Sequence, residues 1–321
     1  MGSPFAKKAL AMSLAAVFGA CVVFAGFYAA PSVEAARNAK NSKVQGGPQT
    51  AEHVILVVLE GVGKQSLKSG PMPVVSRFVK EGAVTWSATN PTPSLRLPSM
   101  ASIITGLPVE KHGVEWDRFD FARGYPRPPT LFDYLDLSGG KDSAIFFMDE
   151  SLSQLAKPAP YTDYQMCGPL KPECSPETIV KYIRDYLRKA AGDDTHGHLV
   201  EAIPHLLLVH LPEAGRVGQA KGWASKEYRH ALRAVDKAVG AVVRTYREMG
   251  LLTRTTVIVT ALNPPGSLGS GREADMTTQV PWIAWGYGIK PGHKIKQKVS
   301  LLDTGATVMR TFGLETYTEW E

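Results

Sequence analysis

The 321-residue chain has little cysteine and no long run of one charge, and both absences narrow its possible functions. Only two of its three cysteines lie outside the apolar N-terminal run, and neither has the further cysteine or histidine at ligand spacing that a zinc site would need. Its 36 lysines and arginines exceed its 30 aspartates and glutamates only slightly. No basic run is long enough to follow a nucleic-acid backbone, so we expect no nucleic-acid partner. Internal repeats and low-complexity blocks are also missing, and the length suits one large α/β domain.

The N-terminal segment differs from the rest of the chain. Lys7–Lys8 precede an uncharged apolar run at residues 9–30, and a small-x-small site follows at 33–35. This pattern is typical of a signal peptide. At roughly 20 residues, the run is also long enough to span a bilayer, so a retained membrane anchor is the alternative. Residues 1–36 are assigned to this segment and 37–51 to a linker.

Both interpretations of this segment place the folded domain outside the cytoplasm. We predict a periplasmic or other extracytoplasmic protein that is either secreted or anchored by an N-terminal helix. Membrane contact is expected only through residues 9–30, and only if they are not cleaved.

The folded region retains two cysteines, Cys167 and Cys174, separated by a proline-rich stretch. An even pair in an exported chain predicts a disulfide that closes this loop, with two free thiols as the alternative. Neither histidine nor further cysteine lies at metal-ligand spacing nearby, so we expect no metal site there.

Strand and helix patterns alternate from residue 52 onward. This alternation predicts a single α/β domain over residues 52–321, with a mainly parallel sheet covered by helices on both faces. Apolar runs predict strands at residues 54–59, 143–147, 206–210, 257–260 and 282–285. Amphipathic patterns and capping residues predict helices at residues 71–81, 98–105, 130–137, 176–191, 225–249 and 301–312.

Two motifs in the first third of the chain carry a family resemblance. The strand at 54–59 ends in E-G-V-G at 60–63, and P-T-P-S-L-R-L-P-S follows at 91–99. A T-G-L-P-V-E-K-H-G run comes next at 105–113. This layout resembles the alkaline phosphatase superfamily, most closely its type I phosphodiesterase/nucleotide pyrophosphatase branch. The resemblance covers nearly all of residues 52–314 and implies an alkaline-phosphatase-like domain.

The resemblance also implies that this chain lacks the nucleophile and the metal ligands that active members of the family use. In the family, a threonine or serine nucleophile lies two residues before a helix-opening proline, but this position holds Arg96. A guanidinium remains protonated near neutral pH and cannot act as a nucleophile. The positions that correspond to the family's metal ligands hold Glu60, Gly215, Gln219, Leu262 and Asn263. One carboxylate cannot hold two divalent ions, so we expect no catalytic residue, no metal and no other cofactor.

Arg96 has two interpretations. It could form a salt bridge, for instance with Glu60, and fill the space that the metals leave. Alternatively, Arg96 and Ser99 could bind a small anion at the N-terminus of the helix that follows.

Three functional hypotheses remain from the sequence. The first is a pseudoenzyme that serves as a binding or assembly component, with another exported or membrane protein as its partner. The second is a metal-dependent phosphodiesterase, phosphatase or sulfatase-like hydrolase with non-standard ligands. The third is a metal-free anion-binding protein that uses Arg96.

Overall fold

One mixed sheet organises the domain in a computed structural model that describes residues 50–155, 164–166, 174–192, 203–265, 279–317 and 319–320. The strands are β1 (His53–Glu60), β2 (Ala83–Thr89), β3 (Ser143–Phe146), β4 (Tyr164–Met166), β5 (Leu206–Leu211), β6 (Thr255–Leu262), β7 (Gln279–Gly286) and β8 (His293–Lys294). They lie in the order β4-β3-β5-β1-β6-β7-β2-β8. Only β7 pairs antiparallel, with β6 and with β2. The prediction of a mainly parallel sheet is therefore confirmed.

Nine helices connect these strands in the described ranges. They are α1 (Lys64–Ser69), α2 (Pro73–Glu81), α3 (Arg96–Thr105), α4 (Val109–His112), α5 (Leu131–Gly139), α6 (Pro176–Ala190), α7 (Glu213–Lys221), α8 (Lys226–Glu248) and α9 (Asp303–Thr311). Each strand and helix that the sequence predicts is present, with ends shifted by a few residues. The edge strands β4 and β8, the strand β2 beside β8, and the short helices α1, α4 and α7 were not predicted, because they are brief or weakly patterned.

Strand β1 forms the centre of the sheet, between β5 and β6. All eight of its residues are buried, as expected for a parallel strand covered on both faces. Val58 lies level with His210 of β5, and Glu60 lies level with Leu262 of β6. The carboxyl ends of the three strands therefore meet at one edge of the sheet, which is where open α/β sheets place their functional sites.

The long helix α8 fixes two of the segments beside this edge. Ser225 caps the helix by accepting a hydrogen bond from the backbone N–H of Tyr228. The Tyr228 hydroxyl donates to the carbonyl of Gly61 at 2.7 Å, directly after β1. Further along, the Asp236 carboxylate accepts from the backbone N–H groups of Val74 and Val75 and so caps α2.

Several predictions fall on residues outside the described ranges. Across the ranges that the structure covers, no helix has the length and apolar character needed to cross a membrane. Residues 1–49 lie outside those ranges, so the signal peptide or anchor and the domain boundaries stay predictions. Cys167 also lies outside them, and its disulfide with Cys174 stays a prediction.

Candidate functional site

A buried ion pair lies at the carboxyl edge of the sheet, where the family resemblance places the nucleophile and the first metal ligand. Glu60 ends β1, and Arg96 is the first residue of α3. Arg96 Nε donates to Glu60 Oε1 at 2.5 Å, and Nη2 donates to Oε2 at 3.1 Å. This two-pronged geometry is the strongest form of an arginine–carboxylate contact. The salt bridge between Arg96 and Glu60 that the sequence suggested is confirmed.

Asp149 supplies a second carboxylate to the same guanidinium. Arg96 Nη1 donates to Asp149 Oδ2 at 2.7 Å. The other oxygen of Asp149 accepts from the backbone N–H of Ser151 at 3.0 Å and from its hydroxyl at 2.6 Å. Asp149 thereby caps the short 3-10 helix Glu150–Gln154, which holds its carboxylate in place. Arg96 therefore connects the end of β1 to the segment that follows β3.

His210 is the second side chain that forms a hydrogen bond with Glu60. Its Nε2 lies 2.7 Å from Glu60 Oε1, and both side chains are buried. An ionised carboxylate only accepts hydrogen bonds, so Nε2 of His210 must carry the hydrogen. Its Nδ1 has no hydrogen-bond partner within the described part of the chain. The sequence patterns gave no signal for this contact between His210 and Glu60.

The ion pair strongly favours the charged form of Glu60. Burial alone would raise the pKa of this carboxyl, but the hydrogen bond from His210 and the charge of Arg96 outweigh burial and lower the pKa to about 2. Burial would likewise lower the pKa of Arg96, and the charge of Glu60 outweighs that effect and raises it. Both groups therefore remain ionised at neutral pH.

The surroundings of Arg96 contain more negative than positive charge. Asp117 also lies near the guanidinium and accepts from the backbone N–H of Leu97 at 2.7 Å, at the N-terminus of α3. Burial raises the pKa of Asp117. The helix N-terminus therefore already holds a carboxylate, and Arg96 already contacts two others. Ser99 is fully buried, and its hydroxyl has no partner among the described residues.

Helix α7 closes the space where the family's aspartate ligand would lie. Gly215 is buried against the end of β1, and a Cβ atom there would come within 2.9 Å of the Glu60 Cβ. A Cβ at Gly61 would come within 2.4 Å of the Gly215 Cα. Contacts this short require a backbone shift, so an aspartate at position 215 cannot be accommodated without moving α7 or β1.

The three other metal-ligand positions also provide no ligand set. Gln219 is exposed on α7, while Leu262 is buried in β6. Asn263 is buried with a φ of 47°, and its carbonyl accepts from the Gly61 N–H at 3.0 Å. Its side-chain oxygen has no partner within the described residues. Of the residues at the family's nucleophile and metal-ligand positions, Arg96 therefore contacts Glu60. Gln219 faces solvent.

The residues present do not fit a pair of divalent ions. Both oxygens of Glu60 are engaged by Arg96, and Oε1 also accepts from His210. A cation bound to Glu60 would have to displace a guanidinium that is itself positively charged. Among the described residues, no group of three or more histidine, cysteine, aspartate or glutamate side chains is arranged to hold a metal ion.

Comparisons with known proteins agree with this fold. The sequence profile of the family "Type I phosphodiesterase / nucleotide pyrophosphatase" matches residues 54–261. One curated relative, GPI ethanolamine phosphate transferase 1 of Gibberella zeae, is 24% identical over 175 residues, which is 54% of this chain. The match covers 16% of that protein, so the chain spans about a sixth of the length of this relative.

Solved structures share the fold at low sequence identity. Human ectonucleotide pyrophosphatase/phosphodiesterase 5 superposes with a TM-score of 0.63 at 12% identity, over 83% of this chain and 96% of that one. A 2-O GAG sulfatase superposes with a TM-score of 0.59 at 14% identity, over 84% and 72% of the two chains. At these identities the superpositions establish a shared fold and leave the activity open.

Proposed function

This chain belongs to the type I phosphodiesterase/nucleotide pyrophosphatase family, and we propose that it is a catalytically inactive member that serves as a binding or assembly component. The observation that carries the proposal is the pairing of Arg96 with both oxygens of Glu60. A residue that cannot attack phosphorus stands in the nucleophile position. It also occupies the carboxylate that would otherwise bind a metal.

The two losses affect the same transition state. Phosphoric-ester hydrolysis in this fold requires a nucleophilic oxygen and cations that neutralise the phosphoryl oxygens. Arg96 provides no such oxygen, and the backbone of Gly215 packs where a second carboxylate would lie. Restoring one function without the other gains little, because residues that act as a unit have non-additive effects.

A hydrolase with non-standard ligands is the second candidate, and one observation favours it. The Nδ1 atom of His210 is buried and has no partner in the described part of the chain, so this ring keeps a free lone pair on the nitrogen that does not face Glu60. Asp149 lies on the opposite side of Arg96. These are two donor types that zinc accepts. Metal binding there would require the guanidinium to swing away from both carboxylates.

Anion binding by Arg96 is the weakest of the three hypotheses. Two carboxylates already contact the guanidinium, and Asp117 lies nearby. An incoming phosphate or sulfate would meet this excess of negative charge and would have to compete with a bidentate carboxylate. We retain the sequence-based proposal that the domain acts outside the cytoplasm beside another exported or membrane protein.

The test is an activity and metal assay of the full chain. We would measure turnover of a chromogenic phosphodiester, a phosphomonoester and a sulfate ester with added zinc or manganese, because the similar proteins include a phosphate transferase and a sulfatase by name. Wild type and Arg96→Thr should both give no turnover above a mock purification. Elemental analysis should find no stoichiometric metal. Turnover by wild type that Glu60→Gln abolishes would replace the pseudoenzyme proposal with the hydrolase one.

A further inference from the structure

The loop at residues 118–127, between α4 and α5, concentrates exposed aromatic side chains. Phe119 is 43% exposed, Phe121 is 89% exposed and Tyr125 is 42% exposed. Across the described residues, the one other large hydrophobic side chain of this exposure is Leu137, at 73%. Single exposed apolar residues are normal on a soluble protein, whereas three exposed aromatic residues within seven positions concentrate apolar surface in one loop, which favours an interaction site there.

Hydrogen bonds to one buried side chain hold the backbone of this loop in place. Beneath it, the buried side-chain amide of Gln154 makes four hydrogen bonds. Its oxygen accepts from Trp116 Nε1 at 3.2 Å and from the Asp120 N–H at 2.8 Å. Its nitrogen donates to the carbonyls of Asp120 at 2.6 Å and Gly124 at 3.1 Å. The aromatic rings are thus presented by a clamped backbone, and binding through them would cost little ordering entropy.

Arginines alternate with the aromatic residues. The loop contains three exposed arginines, Arg118, Arg123 and Arg127, against one acidic residue, Asp120, which gives it a net positive charge. The Arg123 guanidinium lies 5.3 Å from the ring centre of Trp116 and also pairs with Asp120 at 3.3 Å. Aromatic rings flanked by cations favour the boundary between lipid headgroups and acyl chains, where rings enter the interface and cations contact phosphates.

We propose that the 118–127 loop docks the domain on an anionic lipid surface, with Phe119, Phe121 and Tyr125 entering the interface. A stable protein partner would require about 20–30 residues on each side, whereas the exposed apolar surface here is confined to one ten-residue loop. A lipid surface needs no such area, because a few protruding side chains can enter it singly. The proposal goes beyond the proposed function and does not depend on whether the site is active.

The N-terminal sequence points to the same partner. The apolar run at residues 9–30 is long enough to span a bilayer, and 19 residues separate it from Thr50, the first described residue. Fully extended, that linker reaches at most about 65 Å. Where the run is retained, it therefore keeps the domain close to the membrane. A weak affinity of the loop for lipid is then enough to hold the loop on the membrane surface.

The test places a tryptophan at the tip of the loop and measures its contact with lipid. The full chain carrying Phe121→Trp is reconstituted with vesicles of phosphatidylcholine and phosphatidylglycerol whose acyl chains are brominated. We expect the added tryptophan fluorescence to be quenched. Leu137→Trp is the matched control, because it also places tryptophan at an exposed apolar position, and we expect its added fluorescence to persist. Both sites are exposed, so the fold should survive, which circular dichroism checks.

Charge variants test the role of the arginines. In the Phe121→Trp background, Arg118→Gln and Arg123→Gln should each lower the ratio of docked to undocked loop about fivefold. Arg244→Gln, at an exposed position on α8, should leave this ratio unchanged. Vesicles of phosphatidylcholine alone should give weaker quenching.

Three results would overturn the proposal. The first is unquenched fluorescence from Phe121→Trp, and the second is equal quenching from Leu137→Trp. The third is concentration-dependent self-association of the full chain that Phe121→Ser abolishes, which would assign the loop to contact between protein molecules.

Discussion

Replacing Arg96 with threonine restores a hydroxyl at the nucleophile position and removes the cation that balances Glu60. Glu60 is fully buried and would keep only the hydrogen bond from His210. Removing one partner from a buried ion pair costs about 3–5 kcal/mol, because the remaining charge is left without compensation. Since the Arg96 side chain is 24% exposed, we expect a loss near the lower limit, about 3 kcal/mol at pH 7.

The pH dependence of this loss follows from the pKa of Glu60. In the folded wild type the pKa is lowered from 4.5 to about 2, so the stabilisation is fully present above pH 4.5 and disappears as the pH falls through 2. At about 1.4 kcal/mol for each pH unit, the stabilisation amounts to roughly 3 kcal/mol. Without the guanidinium, burial is opposed only by His210, so the charged form of Glu60 is disfavoured and the carboxyl binds a proton more readily as the pH falls. The deficit of Arg96→Thr should therefore be greatest at neutral pH and shrink below pH 4.5.

The measurement is denaturant unfolding of wild type, Arg96→Thr, Glu60→Gln and the double variant at pH 7 and at acidic pH. The double variant should lose less stability than the two single variants together, because it leaves no buried charge unpaired. A loss under about 1 kcal/mol for Arg96→Thr at pH 7, or strict additivity of the two substitutions, would refute the assignment of the ion pair as a structural element.

Three further predictions concern other residues. Gly215→Asp should destabilise the fold by about 1–3 kcal/mol without restoring metal binding, because its Cβ would meet Glu60, and Gly215→Ala should show a similar loss by denaturation. Burial lowers the pKa of His112 to about 4 from 6.5, so wild type should lose stability as the pH falls from 6.5 towards 4, and His112→Gln should show a flatter profile over that range. Thiol labelling of the unreduced native protein should find neither Cys167 nor Cys174, and reduction should cost about 2–3 kcal/mol. Labelling of both cysteines would contradict the predicted disulfide.

The sequence was sufficient for the architecture because the sheet has strong local signals. Central parallel strands are buried on both faces, so β1 is a continuous apolar run that needs no tertiary information to recognise. The sequence also predicts the long helices from their end signals, since Ser175 precedes a proline at the start of α6 and Gly250 follows α8. Helix α7 was missed, because two glycines in nine residues weaken its helical pattern.

The candidate site was predictable only in part. The Arg96–Glu60 contact followed from aligning two motifs, since both positions converge on one site in the family. His210 and Asp149 carried no such signal. His210 is 150 residues from Glu60 along the chain, and Asp149 lies 53 residues beyond Arg96. Contacts of this kind are set by strand order and loop conformation, which residue periodicity does not encode.

The contact between Arg96 and Glu60 accounts for the charges at this edge of the sheet without calling on a bound metal. A metal site gathers carboxylates that would repel one another, and the cations hold them together. Without cations, a carboxylate buried at the end of β1 is costly unless another positive charge reaches it. Arg96 supplies that charge from the nucleophile position and spans Glu60 and Asp149. A carboxylate at position 60 is thus accounted for by the stability of the sheet edge alone, and this structural role needs no catalytic one beside it.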